Sequence, residues 1–359
     1  MAFYIILWGV FAFFYLFQDK LKKKIPSFVL WGILVFLSVV IVGCRYQVGN
    51  DWESYCLYYY HGYAYDKSTG AMEPLFTLVR YICFSLGLSH AVFFAILSFF
   101  SLFLIVKATE NLRIRNKYFV LFAYLSLFFC SFQFNIIRQG LLASCVWYAF
   151  SEKTLGHNTK AFVWVLIGCG FHLSGFLFLP ILFVIDKKLP WSIACLILII
   201  SYACFFLKLS ERLMALFPFL ANVERVATYL NASTVEYGLS IGMIFNTVLL
   251  LYSYICLYKV YDKVVIFRIV LNSLLIALMM SCMFNAFYTI VARIANVLNM
   301  ALVFFWPMFI MSFRKRFIRI AVRIGMLIYL LLYFNISINT KANDTSMLPY
   351  RMEIEQLFE

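Results

Sequence analysis

Three arginines stand where an apolar chain has least use for a charge. Arg45 closes an apolar run in IVGCRYQVGNDW, Arg138 follows a tight reversal in FQFNIIRQG, and Arg293 opens another run in YTIVARIAN. An uncompensated charge near the bilayer centre costs at least about 2.5 kcal/mol. Any one of them can snorkel to a headgroup phosphate. Three on one face are better explained by an anionic ligand, because guanidinium matches phosphate geometry with paired donors. Close to them in the pattern are groups able to move a proton. Asp51 sits in VGNDW, where Gly49 and Asn50 can turn a carboxylate back toward the membrane. His172 lies in GCGFHLSG, and Glu73 precedes Pro74. A carboxylate or imidazole beside arginines in a partly dry cleft can act as general base on a hydroxyl. Taken alone, Asp51 reads first as a turn residue or as the ion-pair partner of Arg45.

The same stretch is crowded with Trp52, Tyr55, Tyr58, Tyr59, Tyr60, Tyr63 and Tyr65. An aromatic belt at the headgroups accounts for several of them. Sugar faces are apolar with polar rims, so the cluster also suits a carbohydrate platform.

The elements that must position these residues are membrane helices. Of 359 residues 65% are hydrophobic and only 13% are charged, against roughly 25% charged in a soluble domain. Apolar runs near the roughly 20 residues of a bilayer crossing recur along the whole chain. One integral domain, 1–359, without a soluble catalytic module is expected. The first run has no basic region before it and no small-residue cleavage site after it, so it reads as a retained helix. The formal charge of +14 is explained by lysine and arginine on cytoplasmic loops, and no nucleic-acid partner is expected. Ten cysteines are scattered singly and read as small core residues, with only Cys44 and Cys56 placed to meet. His61, His90 and His157 lack metal-ligand spacing, and no G-x-S-x-G, H-E-x-x-H or phosphate-loop motif occurs, so no metal site is expected.

Apolar segments fall at about 2–17, 26–43, 91–106, 118–134, 138–151, 161–185, 190–207, 241–258, 269–287, 291–311 and 320–338. Connections bearing Lys20 to Lys24, Lys107 to Lys117, Lys259 to Arg268 and Arg314 to Arg319 should be cytoplasmic. Drawn as one span, 161–185 would invert every later loop, so the chain must break near the glycines around His172 and turn back on the outer side. The expectation is an all-α polytopic protein of about 11–12 transmembrane helices with both termini outside. Its external parts are a long first loop at 44–90, a short one at 135–138, others at 208–240 and 288–292, and the tail 339–359. Within the first loop, EPLFTLVRYICFSLGL reads as an interfacial helix opened by Glu73 and Pro74. No internal repeat is visible.

In order, CRYQVGNDWESY, MEPLF, NIIRQGLLAS, FHLSGFLFLP and LPYR resemble the EpsG family of Wzy-type polysaccharide polymerases over about residues 44–350. One departure is Asn50, where the family often has threonine. The resemblance implies a GT-C-like glycosyltransferase of the bacterial plasma (inner) membrane, working on its outer face without cofactor, metal or nucleotide sugar. Such enzymes transfer a glycan from undecaprenyl pyrophosphate to a hydroxyl at the non-reducing end of another lipid-linked repeat unit. The product is O-antigen of lipopolysaccharide, capsule or exopolysaccharide, and a chain-length regulator is an implied partner beside the surrounding lipid. On this reading Arg138 and Arg293 hold the pyrophosphate, with Arg45 a third clamp or the partner of Asp51. Asp51 is the first choice of base and His172 the second. Gln139 would bind phosphate or sugar beside Arg138, Glu73 would orient the acceptor or hold Arg80, Trp52 and Tyr55 would hold glycan, and Tyr350 would cover the cleft or lie on the surface. A lipid-linked oligosaccharide flippase would also carry buried arginines, but at mid-membrane on two repeated halves. An O-antigen ligase shares the donor chemistry, and a membrane O-acyltransferase would use His172 as its base.

Overall fold

The computed structural model describes residues 1–21, 23–62, 72–114, 116–216, 238–339 and 347–352. Tyr63 and Tyr65, most of the expected loop at 208–240 and most of the tail lie outside the described residues. The described chain is helical, and its only bridge outside helices among those residues pairs Arg45 with Met352. Two compact units form: Met1–Pro180 with Trp306–Glu359, and Ile181–Phe305.

In the first unit α1 (Ala2–Leu21) and α2 (Ser27–Gly43) are followed by the short α3 (Trp52–His61) and α4 (Pro74–Ser85). The long α5 (His90–Asn111) follows. Next, α6 (Lys117–Tyr124) continues as a π-helix over Leu125–Asn135, and α7 (Ile137–Thr154) and α8 (Asn158–Phe171) form the centre. A 3-10 turn, Leu173–Leu177, leads into α9 (Phe178–Val184). The second unit holds α10 (Trp191–Phe206), α11 (Leu209–Leu216), α12 (Ile241–Cys256), α13 (Tyr258–Lys263), α14 (Val265–Met283) and α15 (Tyr288–Asn299). The chain returns to the first unit within α16 (Ala301–Ser312) and ends in α17 (Arg316–Asn339).

Among the described residues six spans are long and apolar enough to cross a membrane: Ala2–Leu21, His90–Asn111, Lys117–Asn135, Val265–Met283, Val291–Ser312 and Arg316–Asn339. Six shorter apolar helices of 10–17 residues accompany them. The most apolar window of Arg316–Asn339 is only 17% buried. In water that would leave an apolar stripe far larger than a soluble surface tolerates, so its solvent is lipid. Hydroxyls inside the helices return to their own backbone, as Ser38 to Leu34 O, Thr109 to Ile105 O and Ser144 to Gly140 O, which satisfies them where no water can.

The break expected in GCGFHLSG is present. α8 stops at Phe171, His172 is extended at φ −159° and ψ 124°, and the chain restarts as the 3-10 turn. The tight reversal before Arg138 is also present: a single residue, Ile136, separates the π-helix from α7. EPLFTLVRYICFS forms α4 with Pro74 in its first turn, where a missing N–H costs nothing.

In the second unit Arg268, expected among the loop cations, is buried on α14. It donates to the carbonyls of Asp186 at 2.9 Å and Asp262 at 2.6 Å. Asn272 donates to Ile185 O and Lys187 O and accepts from the Tyr254 and Tyr261 hydroxyls, so both ends of its amide are used.

α7 is packed on nearly every side, and Gly140 makes that possible. A Cβ there would lie 2.6 Å from the Phe132 carbonyl oxygen, a backbone atom that cannot move aside cheaply. Gly140→Ala is therefore expected to cost about 1–3 kcal/mol by overpacking. The denaturation midpoint of the purified full chain reads the loss. Gly325→Ala, placed where nothing lies within 4 Å, should leave that midpoint in place.

Candidate functional site

Glu73 is the junction of one end of the first unit. It stands directly before α4 without a side-chain cap bond, and its Oε2 accepts from Arg138 Nη1 at 2.5 Å. Its Oε1 accepts from the Leu173 backbone N–H at 3.3 Å. Glu73 is 8% exposed and Arg138 25%. One carboxylate therefore joins α4, the first turn of α7 and the break after α8. A hydrogen bond to Tyr55 ties Arg138 to α3 as well. The break approaches this closely because Gly170 lies against Leu75: a Cβ there would fall 2.5 Å from the Leu75 side chain.

The loop bearing Asp51 is docked beside the same hairpin. Gly49 adopts φ +97°, and Asn50 N–H donates to Asn135 Oδ1 at 2.8 Å. A Cβ on Gly49 would meet Asn135 Oδ1 and the Phe134 carbonyl, both at 2.8 Å, besides being strained. Asp51 is half-buried at the start of α3. It lies close enough to Tyr55 for its charge to act on that hydroxyl.

His172 is half-buried, and its Nδ1 accepts from the backbone N–H of Ser174 at 3.2 Å. In the neutral ring the proton is then on Nε2.

Arg45 is 0% exposed. Its guanidinium carbon lies 5.0 Å from the Phe94 ring centroid and 5.1 Å from that of Phe134. Among the described residues none of its guanidinium nitrogens has a hydrogen-bond acceptor, so the expected pair with Asp51 is not made. Asp51 belongs to a loop whose register is set by Asn135, while Arg45 is drawn between two aromatic faces, which suit a desolvated cation. Burial pulls the Arg45 guanidinium down to about 10, which leaves it charged at neutral pH. A strap from the tail covers it: Tyr46 N–H donates to Arg351 O at 3.1 Å, and the Tyr350 hydroxyl donates to Ile41 O at 2.7 Å. The Tyr350 ring stacks on Phe3 at 3.9 Å. Arg45 is therefore closed off, and Tyr350 is part of the cover.

The structure thus gathers Arg45, Asp51, Trp52, Tyr55, Glu73, Arg138, His172 and Tyr350 at one end of the first unit. Gln139 adjoins Arg138 but is 1% exposed, turned into the packing. Arg293 belongs to the second unit, half-buried on α15. Two further expectations change. Glu73 holds Arg138, whereas Arg80 donates to Tyr59 O at 2.9 Å and lies over the Tyr58 and Phe84 rings. The aromatic run is not an open platform. Tyr55, Tyr58 and Tyr59 fall on one face of α3 at i, i+3 and i+4 and are buried among Phe76, Phe93 and Phe94. Trp52 donates to Arg45 O at 3.1 Å and Tyr60 is half exposed. Asn135 was missed as the holder of the Asp51 loop; an asparagine at a hairpin tip is the signal that marks it. All ten cysteines are free.

A model of the EpsG family matches residues 28–352, nearly the whole chain, and that family is associated with polysaccharide polymerase-like proteins. No curated protein and no solved structure matches the chain.

A double-mutant cycle over Glu73→Gln and Arg138→Gln checks the junction. Contacting charged pairs couple by about 0.5–3 kcal/mol, and a value of at least about 1 kcal/mol is expected from denaturation midpoints. Strict additivity would show that the two side chains do not act on one another.

Proposed function

This chain belongs to the EpsG family, and from that premise we propose that the Glu73 and Arg138 junction is the catalytic centre of a polysaccharide repeat-unit polymerase. The donor is a glycan on undecaprenyl pyrophosphate, and the acceptor is a hydroxyl at the non-reducing end of a second lipid-linked repeat. The observation that carries this reading is Arg138 itself. It is anchored by Glu73 on Nη1 yet a quarter exposed, and among the described residues its buried Nε has no acceptor. An arginine so placed has donors left for an anion and is already oriented, which is the condition for electrostatic stabilisation of a leaving group.

In the reaction the acceptor oxygen bonds to the anomeric carbon as the bond from that carbon to the pyrophosphate oxygen breaks. The hydroxyl proton passes to Asp51, and the lipid pyrophosphate departs with the electron pair, its charge met by Arg138. His172 donates from Nε2 to a phosphate or sugar oxygen. Arg45 contributes a fixed positive charge from beneath the surface, and Trp52 borders the glycan. The positive-inside rule supports an outer position for this end, since the lysine-rich connections of α1 and α5 lie at the opposite helix ends. In a bacterium with two membranes that face of the inner membrane is the periplasmic one.

The polymer ladder tests this in cells lacking the protein and complemented with variants that reach the membrane in normal amounts. Arg138→Ala and Asp51→Asn are each expected to cut polymerisation on the order of a hundredfold or more, leaving single repeat units. His172→Ala should cost less, as the loss of one donor. Full ladders from both Arg138→Ala and Asp51→Asn would remove the site from this end.

A further inference from the structure

The opposite end of α1 carries a second, differently built cavity in the first unit. Tyr4 lies under the tail strap, whereas Gln18 and Asp19 lie about four turns further along, roughly 22 Å at 1.5 Å per residue. There a cavity of about 350 Å³ is bordered by Gln18, Asp19, Asn116, Pro307, Arg319 and Arg323. Arg319 and Arg323 are four residues apart on α17, so both guanidinium groups leave the same helix face. Among the described residues neither has a carboxylate or a hydrogen-bond acceptor for its guanidinium. Asp19 borders the same cavity and pairs with neither. The amide layer behind them is fixed: Gln18 Nε2 donates to Tyr15 O at 3.0 Å and to Asn116 Oδ1 at 2.7 Å.

Arg323 stands on a helix whose outward side is hydrocarbon-facing. Phe317, Ile320, Ile324 and Ile328 are 81%, 45%, 54% and 54% exposed, so acyl chains have a surface immediately beside the cavity. Arg323 is also two turns inside the helix start, roughly 10 Å along its axis, too deep for a bare cation beside lipid without an anionic partner. The one anion always present at that depth is a lipid phosphate.

We propose that this cavity is a structural phospholipid site, separate from the polymerase centre. One lipid phosphate is held between Arg319 and Arg323, and Asp19 accepts from a hydroxyl or ammonium of its headgroup. The chemistry selects a glycerophospholipid whose headgroup carries a hydrogen-bond donor. A choline headgroup offers none to Asp19, and a diacylglycerol offers no phosphate to the arginines.

The test uses the purified full chain, delipidated in detergent, and its thermal denaturation midpoint. Phosphatidylglycerol is expected to raise the midpoint by a few degrees, phosphatidylcholine less, and dioleoylglycerol not at all. Arg319→Gln with Arg323→Gln should abolish the rise. Arg314→Gln with Lys315→Gln removes the same charge from exposed positions of the same region and should keep it. If the first pair of variants fails to fold, the comparison of phosphatidylglycerol with dioleoylglycerol on the unaltered chain still decides. Equal rises from those two lipids, a rise retained without both arginines, or the same rise from inorganic phosphate alone would each overturn the proposal. None of these outcomes depends on polymer formation, so this site and the catalytic reading stand or fall separately.

Discussion

A single carboxylate holds one end of the first unit together. Glu73 offers one oxygen to Arg138 and the other to the Leu173 backbone, and each partner starts or restarts a segment. If the carboxylate were lost, Arg138 would remain largely buried with its charge unmatched, the costly case for an ion pair. The Leu173 N–H would lose its acceptor at a point where the helix ladder has already ended. The neighbouring choices follow from this. Proline can stand directly after Glu73 because the first helical turn needs no donor, and glycine stands at 170 because α4 must come close enough for the carboxylate to reach. Removing water from around such a pair strengthens it, so the packing of Tyr55 and Phe76 against it is part of the same device.

Three buried or half-buried arginines show three ways of keeping a guanidinium out of water. Arg138 has a carboxylate and a phenol; Arg268 has backbone carbonyls; Arg45 has two aromatic faces and no acceptor for its nitrogens. These differ in what they leave over. Arg268 joins the carbonyls of Asp186 and Asp262, so it is a staple. Arg45 is shut beneath Tyr350, and the aromatic faces hold its charge in place without consuming its donors. Arg138 alone combines a fixed orientation with partial exposure.

Much of this was legible in the sequence. The apolar runs, the break at GCGFHLSG, the reversal before Arg138 and the start of α4 at Glu73 and Pro74 are local signals, set by glycine, proline and hydrophobic periodicity. The pairing of Glu73 was not legible. Arg80 lies seven residues away and Arg138 sixty-five, and nothing local says that the hairpin tip rather than the next two turns of α4 meets the carboxylate. The burial of Arg45 was equally hidden, because its cover comes from residues about 300 positions later. The aromatic run was legible but misjudged: Tyr55, Tyr58 and Tyr59 have helical spacing, and a face at that spacing is packed before it is offered to a ligand. Arg268 was misjudged for the opposite reason, since a cation close to two lysines looks like a loop until the helix beneath it is seen to begin at Val265.

Depth explains why the two ends of the first unit use charge so differently. At the Glu73 end the cations are matched from within the chain, by a carboxylate and by rings, so that end keeps its shape before any anion arrives. Preorganised donors are what a developing negative charge needs, because no reorganisation is then required during the reaction. At the Asp19 end the two arginines of α17 are held only by their helix, and the cavity before them has a neutral amide wall fixed by Gln18 and Asn116. A group arranged that way gains most from an anion that stays, since the bound phosphate supplies what the chain leaves out. The first arrangement suits a ligand that is turned over, and the second one that is kept.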